Sequence, residues 1–305
     1  MVLLQQMGIL FVYMVIGYMA CKRECFDQEF GKKLSWLVVN IANPMLAISA
    51  VVNNESTIAR KDFYLTVLLA VAFYAFMLLV AQILPKVIHV PKEKLGVYKM
   101  MSTFNNIGFM GFPVIAAAYG NGALIYAVPF SIMFNLLCYT WGIQTLCGNS
   151  GKIQWNSIIN LGMISGMIAI LLFFWQLPVP QIICSISAGL SNLTGPLSMI
   201  VIGISLADIE LKELFTDVRL LKFAFAKLLL IPIVIMLILC RTIDNQLICE
   251  VCLIMLATPA ASMCAMLSQQ YGGDYELAAR GVALTTILSV VTIPIVSEIV
   301  FQIAI

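Results

Sequence analysis

Residues 104–113 read FNNIGFMGFP and lie in the middle of an apolar stretch long enough to cross a bilayer. Asparagine, glycine and proline are poor formers of helix interiors. Breaking a helix at membrane depth frees backbone N–H and C=O groups that lipid cannot satisfy. Such a break is tolerated only where protein or a water-filled cavity supplies the partners. The rest of the chain must therefore explain why the worst helix formers sit where a break costs most.

The chain has 305 residues, of which 62 % are hydrophobic and 10 % charged, with a mean hydropathy of +1.00. That excess of apolar side chains excludes an ordinary soluble domain and implies a polytopic membrane protein. Apolar runs cover 2–21, 33–52, 63–84, 97–118, 123–146, 155–175, 182–206, 218–240, 246–267 and 278–301. Each is close to the roughly 20 residues a membrane helix needs. Together they leave no room for a soluble domain beside them. The first run is followed, not preceded, by Lys22 and Arg23, which fits a retained helix rather than a cleaved signal peptide. With the N-terminus outside, the inner loops hold thirteen of the 17 basic residues, and the outer loops only Arg60, Lys61 and Arg241. The positive-inside rule then places both termini on the extracytoplasmic side of the cell membrane. An odd number of helices would spoil that alternation.

Breakers recur at matching places. The second run holds NIANPMLAIS around Pro44, and the seventh holds NLTGPLSMIV around Pro196. The fourth holds NNIGFMGFPVIAAAYGNG, and the ninth ATPAASMCAMLSQQYGGD. Aligning Tyr119-Gly120 with Tyr271-Gly272 puts Asn106 opposite Thr258 and Gly108 opposite Ala260, and Asn135 of the fifth run falls opposite Ser289 of the tenth. Five helices separate each pair, so the halves 1–150 and 151–305 must be inverted in the membrane. The expected fold is all-α, ten helices in two inverted five-helix repeats, with the fourth and ninth broken and crossing. Inverted repeats with breaks in corresponding helices are the pattern of secondary transporters, which bind substrate near the midplane at those breaks.

At each break one half-helix offers partial positive charge and unpaired N–H groups, the other carbonyls and partial negative charge. Pro113 suits the first turn of a new half-helix. Gly108 and Gly111 are expected to adopt positive φ and to admit a close helix crossing. Asn105 and Asn106 add amide groups there, echoed by Thr258, Pro259 and Ser262. Asn43, which shares a helix face with Asn40, and Asn135 are expected to join them around the substrate. Pro44 and Pro196 are read as structural breaks. Thr285, Ser289 and Thr292, at helical spacing, are assigned to helix packing. Lys227, in FAFAKLLLIP, is the charge deepest inside an apolar run. Its expected role is to snorkel to the basic inner end. The other reading is a counter-charge for substrate or structure.

No Asp or Glu occupies a helix centre, so a carboxylate proton relay and a cationic substrate are disfavoured. No phosphate loop, zinc motif or nucleophile–base pair is present, so enzymatic chemistry, a bound cofactor and nucleic-acid binding have no support. Cys249 and Cys252 form an isolated CxxC, and His89 is the single histidine; neither suggests a metal site. Half-helix N-termini and amides point to a small organic anion.

The Asn-x-Gly-x-x-Gly-x-Pro pattern at Asn106, Gly108, Gly111 and Pro113, the NIANP of the second helix and the TP of the ninth resemble the auxin efflux carrier family over essentially the whole chain. The resemblance implies the fold of bile-acid symporters and sodium–proton antiporters. In that fold helices 1, 2, 6 and 7 form a scaffold that dimerises, while helices 3–5 and 8–10 form a mobile transport domain. It implies a carboxylate substrate: auxin in plant members, malate, malonate and similar acids in bacterial permeases. The short loop CGNSGKIQWN after the fifth helix is similar to the bacterial members. The expected activity is secondary transport of a carboxylate by alternating access. Two other readings stay open: a sodium-coupled symporter, with Gln269, Gln270 and break carbonyls around the ion, and a membrane receptor on a transporter scaffold. Coupling to H⁺ or Na⁺ is left undetermined by the sequence.

Overall fold

The computed structural model describes residues 2–53, 59–147 and 159–304. The loop residues 148–156, with Lys152 and the boundary expected at 150/151, lie outside the described residues. Among the described residues the chain is helical throughout and forms no strand. Its helices are α1 (Val2–Lys22), α2 (Gln28–Val52), α3 (Arg60–Val87), α4 (Leu95–Thr103), α5 (Ile107–Tyr119) and α6 (Asn121–Cys147). They continue with α7 (Leu161–Trp175), α8 (Gln181–Ala207), α9 (Val218–Leu239), α10 (Gln246–Ala257), α11 (Ser262–Gln270) and α12 (Tyr275–Ala304). Seven of these, α1, α2, α3, α6, α8, α9 and α12, are long and apolar enough to cross a membrane; α5, α7 and α10 are shorter apolar helices.

Local sequence explains where the helices begin. Asp27, Asn160, Asp217 and Asn245 stand before α2, α7, α9 and α10, and each side chain accepts a backbone N–H of the first turn. Such caps satisfy donors that have no partner inside the helix. Prolines then shape the helices from within. Pro44, Pro113 and Pro232 each follow a π turn, at Val38–Ala42, Ile107–Gly111 and Ala226–Leu230. A proline has no N–H for the carbonyl four residues back, and its ring crowds that carbonyl. Widening the preceding turn relieves both problems: Asn43 donates back to Val38 O, and Ile231 to Ala226 O. A fourth π turn, Cys138–Gly142, ends on a glycine packed against Met100 and Phe104.

The chain forms two compact units. The first comprises Met1–Val67, Ile107–Ile132 and Ile159–Ile209; the second Leu68–Asn106, Met133–Ile158 and Glu210–Ile305. In the first, α1 packs along α8, and the second half of α2 packs on α7 and α8. The α1–α8 contact is set by two glycines: a Cβ on Gly17 would collide with the Ile200 carbonyl, and one on Gly203 with the Met14 carbonyl. Helix pairs in lipid gain little from the hydrophobic effect, so backbone approach at small residues supplies much of the packing. In the second unit α12 lies against α9, α10 and α11. The chain passes from the second unit to the first between Asn106 and Ile107, within the stretch FNNIGFMGFP.

Candidate functional site

In the second unit two helices stop short and join through extended backbone. α4 ends at Thr103, and Phe104 is extended (φ −101°, ψ 113°). α10 ends at Ala257, with Thr258 (φ −65°, ψ 149°) and Ala261 (φ −67°, ψ 138°) extended. Asn105 and Ala260 pair as an isolated antiparallel bridge. Asn106 N–H donates to Pro259 O at 2.7 Å, and Ala261 N–H to Phe104 O at 2.9 Å. Ala260 N–H donates to Thr285 Oγ1 of α12 at 3.2 Å. Phe104, Asn105, Thr258 and Ala260 are fully buried. The two breaks thus supply each other with the hydrogen-bond partners that buried backbone requires.

Side chains reinforce the bridge. Asn105 Nδ2 donates to Met255 O (2.6 Å) and Leu256 O (3.0 Å), two carbonyls at the end of α10. Met255 O would normally accept from residue 259, which is proline and has no N–H. Thr258 Oγ1 also donates to Met255 O, at 3.1 Å. Asn105 Oδ1 accepts from Lys227 Nζ at 2.6 Å, and Nζ also donates to Ser102 O at 3.2 Å. Lys227 is only 1 % exposed. The snorkelling expected of Lys227 is therefore overturned: its ammonium turns inward to the break and not along the helix to water.

The residues singled out in the sequence divide between the units. Asn105, Asn106, Thr258, Pro259 and Lys227 meet in the second through the bonds just described. Ser262 opens α11. Asn135 is half-buried on α6, next to Phe134, whose ring packs edge-on against Phe104 at 5.4 Å. In the first unit, Asn43 stands just before Pro44, and its Oδ1 is buried with no hydrogen-bond partner. Its Nδ2 lies 3.3 Å from where a Cβ on Gly108 would stand. Pro113 is the second residue of the α-helical part of α5, after its π turn. Pro196 lies in the first turn after the interruption of α8 at Asn192–Leu193.

Positive φ was expected at Gly108 and Gly111, and the structure corrects this. Gly111 is right-handed helical (φ −60°, ψ −55°); among the described residues the glycines with positive φ are Gly120 (83°) and Gly272 (74°). The break is made by extended residues 104–106 and not by glycine conformation. What Gly108 contributes is room for Asn43. Sequence reasoning also missed two members of the bridge. Thr285, assigned to packing, accepts Ala260 N–H, and Ser102 contributes only its carbonyl, which no side-chain identity could signal. Among the described residues no cluster of His, Cys, Asp and Glu could hold a metal ion.

A chain of long apolar helices, with two shorter ones stopped and bonded together in its interior, is a multi-pass membrane protein of the transporter class. A membrane transport protein family matches residues 2–160 and 150–297. The chain belongs to this family, that of the auxin efflux carriers. It is similar to an uncharacterized transporter of Methanocaldococcus jannaschii, 25 % identical over 302 residues that cover 93 % of this chain and 94 % of the relative. It is also similar to an uncharacterized transporter of Methanothermobacter thermautotrophicus, 22 % identical over 287 residues with the same coverage. The protein is a transporter and not an enzyme.

Proposed function

We propose that this protein is a secondary carrier for a small organic anion, a carboxylate, in the cytoplasmic membrane, working by alternating access. The observation that carries the reading is the bridge between α4 and α10, where unwound backbone and helix ends meet in the protein interior. Broken helices of this kind are where transporters hold substrate, the N-termini of half-helices facing anionic groups. On this reading α4 with α5, and α10 with α11, each make one crossing, α7 makes another, and the count is ten with both termini outside. Two inverted repeats are supported by the matching breaks, and by positive φ at both Gly120 and Gly272, which the repeat alignment makes equivalent. Helices 1, 2, 6 and 7 of that count act as a dimerising scaffold, and helices 3–5 and 8–10 as the moving part.

Each unit is read by itself: the residues assigned to substrate are Asn43, Gly108, Gly111 and Pro113 in the first, and Asn105, Asn106, Asn135, Thr258, Pro259 and Ser262 in the second. Asn43 Oδ1, buried and unpartnered, is a group whose desolvation a substrate hydroxyl or protonated carboxyl would offset. The test is counterflow in proteoliposomes loaded with malate, malonate or an aromatic acid. Labelled acid should exchange for at least one of them. In Gly111→Leu, exchange should be lost while the protein still purifies as a folded species. Exchange of none of the acids by the wild type would overturn the carboxylate reading, and wild-type exchange in Gly111→Leu would remove Gly111 from the mechanism.

A further inference from the structure

Lys227 is a buried ammonium without a carboxylate. Its acceptors are two neutral oxygens, Asn105 Oδ1 and Ser102 O, and among the described residues no Asp or Glu lies within ion-pair distance of it. A bare charge in so apolar a place is strongly disfavoured unless something of opposite sign balances it. The balance comes from helix ends. Ser102 is the second-to-last residue of α4, so its carbonyl is among those with no partner inside the helix. Four residues on, Asn106 N–H is turned away to Pro259 O. The C-terminal carbonyls of α10 reach the same ammonium through one amide: Asn105 Nδ2 donates to Met255 O and Leu256 O, and Asn105 Oδ1 accepts from Lys227 Nζ. Each helix C-terminus is equivalent to about −0.5 elementary charge, so two of them offset one ammonium.

Broken membrane helices present their C-terminal carbonyls to a small cation in ion-coupled carriers. We propose that the Lys227 ammonium is a built-in monovalent cation at this seat. It leaves the bridge complete without a bound metal ion and holds Asn105 in the orientation that ties α4 to α10. Shortening the side chain then opens a cation site lined by Asn105 Oδ1 and Ser102 O. Lys227 is a positioning residue on this account, and the site takes Na⁺, K⁺ or a small alkylammonium when the side chain no longer reaches. The inference concerns unit 2 alone and does not require the transport reading.

The test is thermal melting of detergent-purified protein without any organic acid, in the chlorides of sodium, potassium, methylammonium and N-methyl-D-glucamine at equal ionic strength. Wild type should melt at one temperature in all four. Lys227→Ala should melt about 3–8 °C lower in N-methyl-D-glucamine, the size expected for orphaned buried acceptors. It should regain at least half of that loss in methylammonium or one of the alkali cations. Wild-type stabilisation specific to sodium would overturn the proposal, as would a Lys227→Ala deficit that no cation relieves, or no deficit at all. If Lys227→Ala cannot be purified, Lys227→Gln decides, because it keeps a donor of similar reach without the charge. Wild-type melting of Lys227→Gln in N-methyl-D-glucamine would overturn the proposal, and a deficit there would support it. Since substrate is absent, failure here leaves the carrier reading standing.

Discussion

Asn105 has its whole amide engaged: both carbonyl acceptors lie on α10, and its own oxygen holds the Lys227 ammonium. Replacing it by alanine removes a bond to a charged group, worth roughly 1.5–3 kcal/mol, and orphans Leu256 O as well. Asn105→Ala should therefore lower the melting temperature by several degrees. Wild-type melting of Asn105→Ala would deny Asn105 its role. In the first unit, Gly108→Leu should drive Asn43 from its position, since a Cβ alone already meets Asn43 Nδ2 at 3.3 Å. The expected result is loss of counterflow with melting lowered by only a few degrees, measured on the same proteoliposome preparation. Asn105 was legible in the sequence as a polar residue where lipid allows none. Its partner was not, because 122 residues separate it from Lys227 and spacing along one helix suggested an escape to the basic end. No feature of the local sequence shows which way a π turn aims a side chain.

Whole helices repeat the same contrast between what a sequence states and what folding adds. Prolines announce disturbed helices because the missing N–H and the crowded carbonyl are local facts, and Pro44, Pro113 and Pro232 each bring a π turn. The break of the fourth apolar run was legible as a region, but its place was not. It falls at Phe104–Asn106, before the glycines and proline, since extended backbone needs a partner strand and residues 259–261 provide one. The glycines that set the α1–α8 contact were invisible, as single glycines in apolar runs carry no signature of a neighbour. Gly203 allows the Met14 carbonyl to approach so closely that no Cβ fits, and Gly17 does the same for Ile200. In lipid this approach cannot be replaced by hydrophobic burial elsewhere. Gly203→Leu should force the two backbones apart and prevent accumulation of folded protein, read by size-exclusion chromatography in detergent. A monodisperse, wild-type-stable Gly203→Leu would show that α1 and α8 do not depend on that contact.

For the molecule as a whole, the apolar runs were legible because the bilayer fixes the length and composition of anything that crosses it. Every run read from the sequence carries helix, yet among the described residues only seven helices are long enough to cross alone. The test of the full count lies with the broken pair α10 and α11. They hold 12 and nine residues, which is about 31 Å of helix, against a hydrocarbon core of about 30 Å. Joined through the extended residues between them, they have the length of one crossing, and neither has it by itself. Asp244, exposed between α9 and α10, and Glu276, exposed at the start of α12, should then face opposite sides of the membrane. In a background lacking the nine native cysteines, Asp244→Cys should react with an impermeant thiol reagent on intact cells. Glu276→Cys should react only after permeabilisation. Labelling of both from the same side would mean that α10 and α11 turn back within the membrane, and the inverted repeat would fall with the crossing. The exchanged pattern would keep the crossing and reverse the orientation that the basic residues dictate.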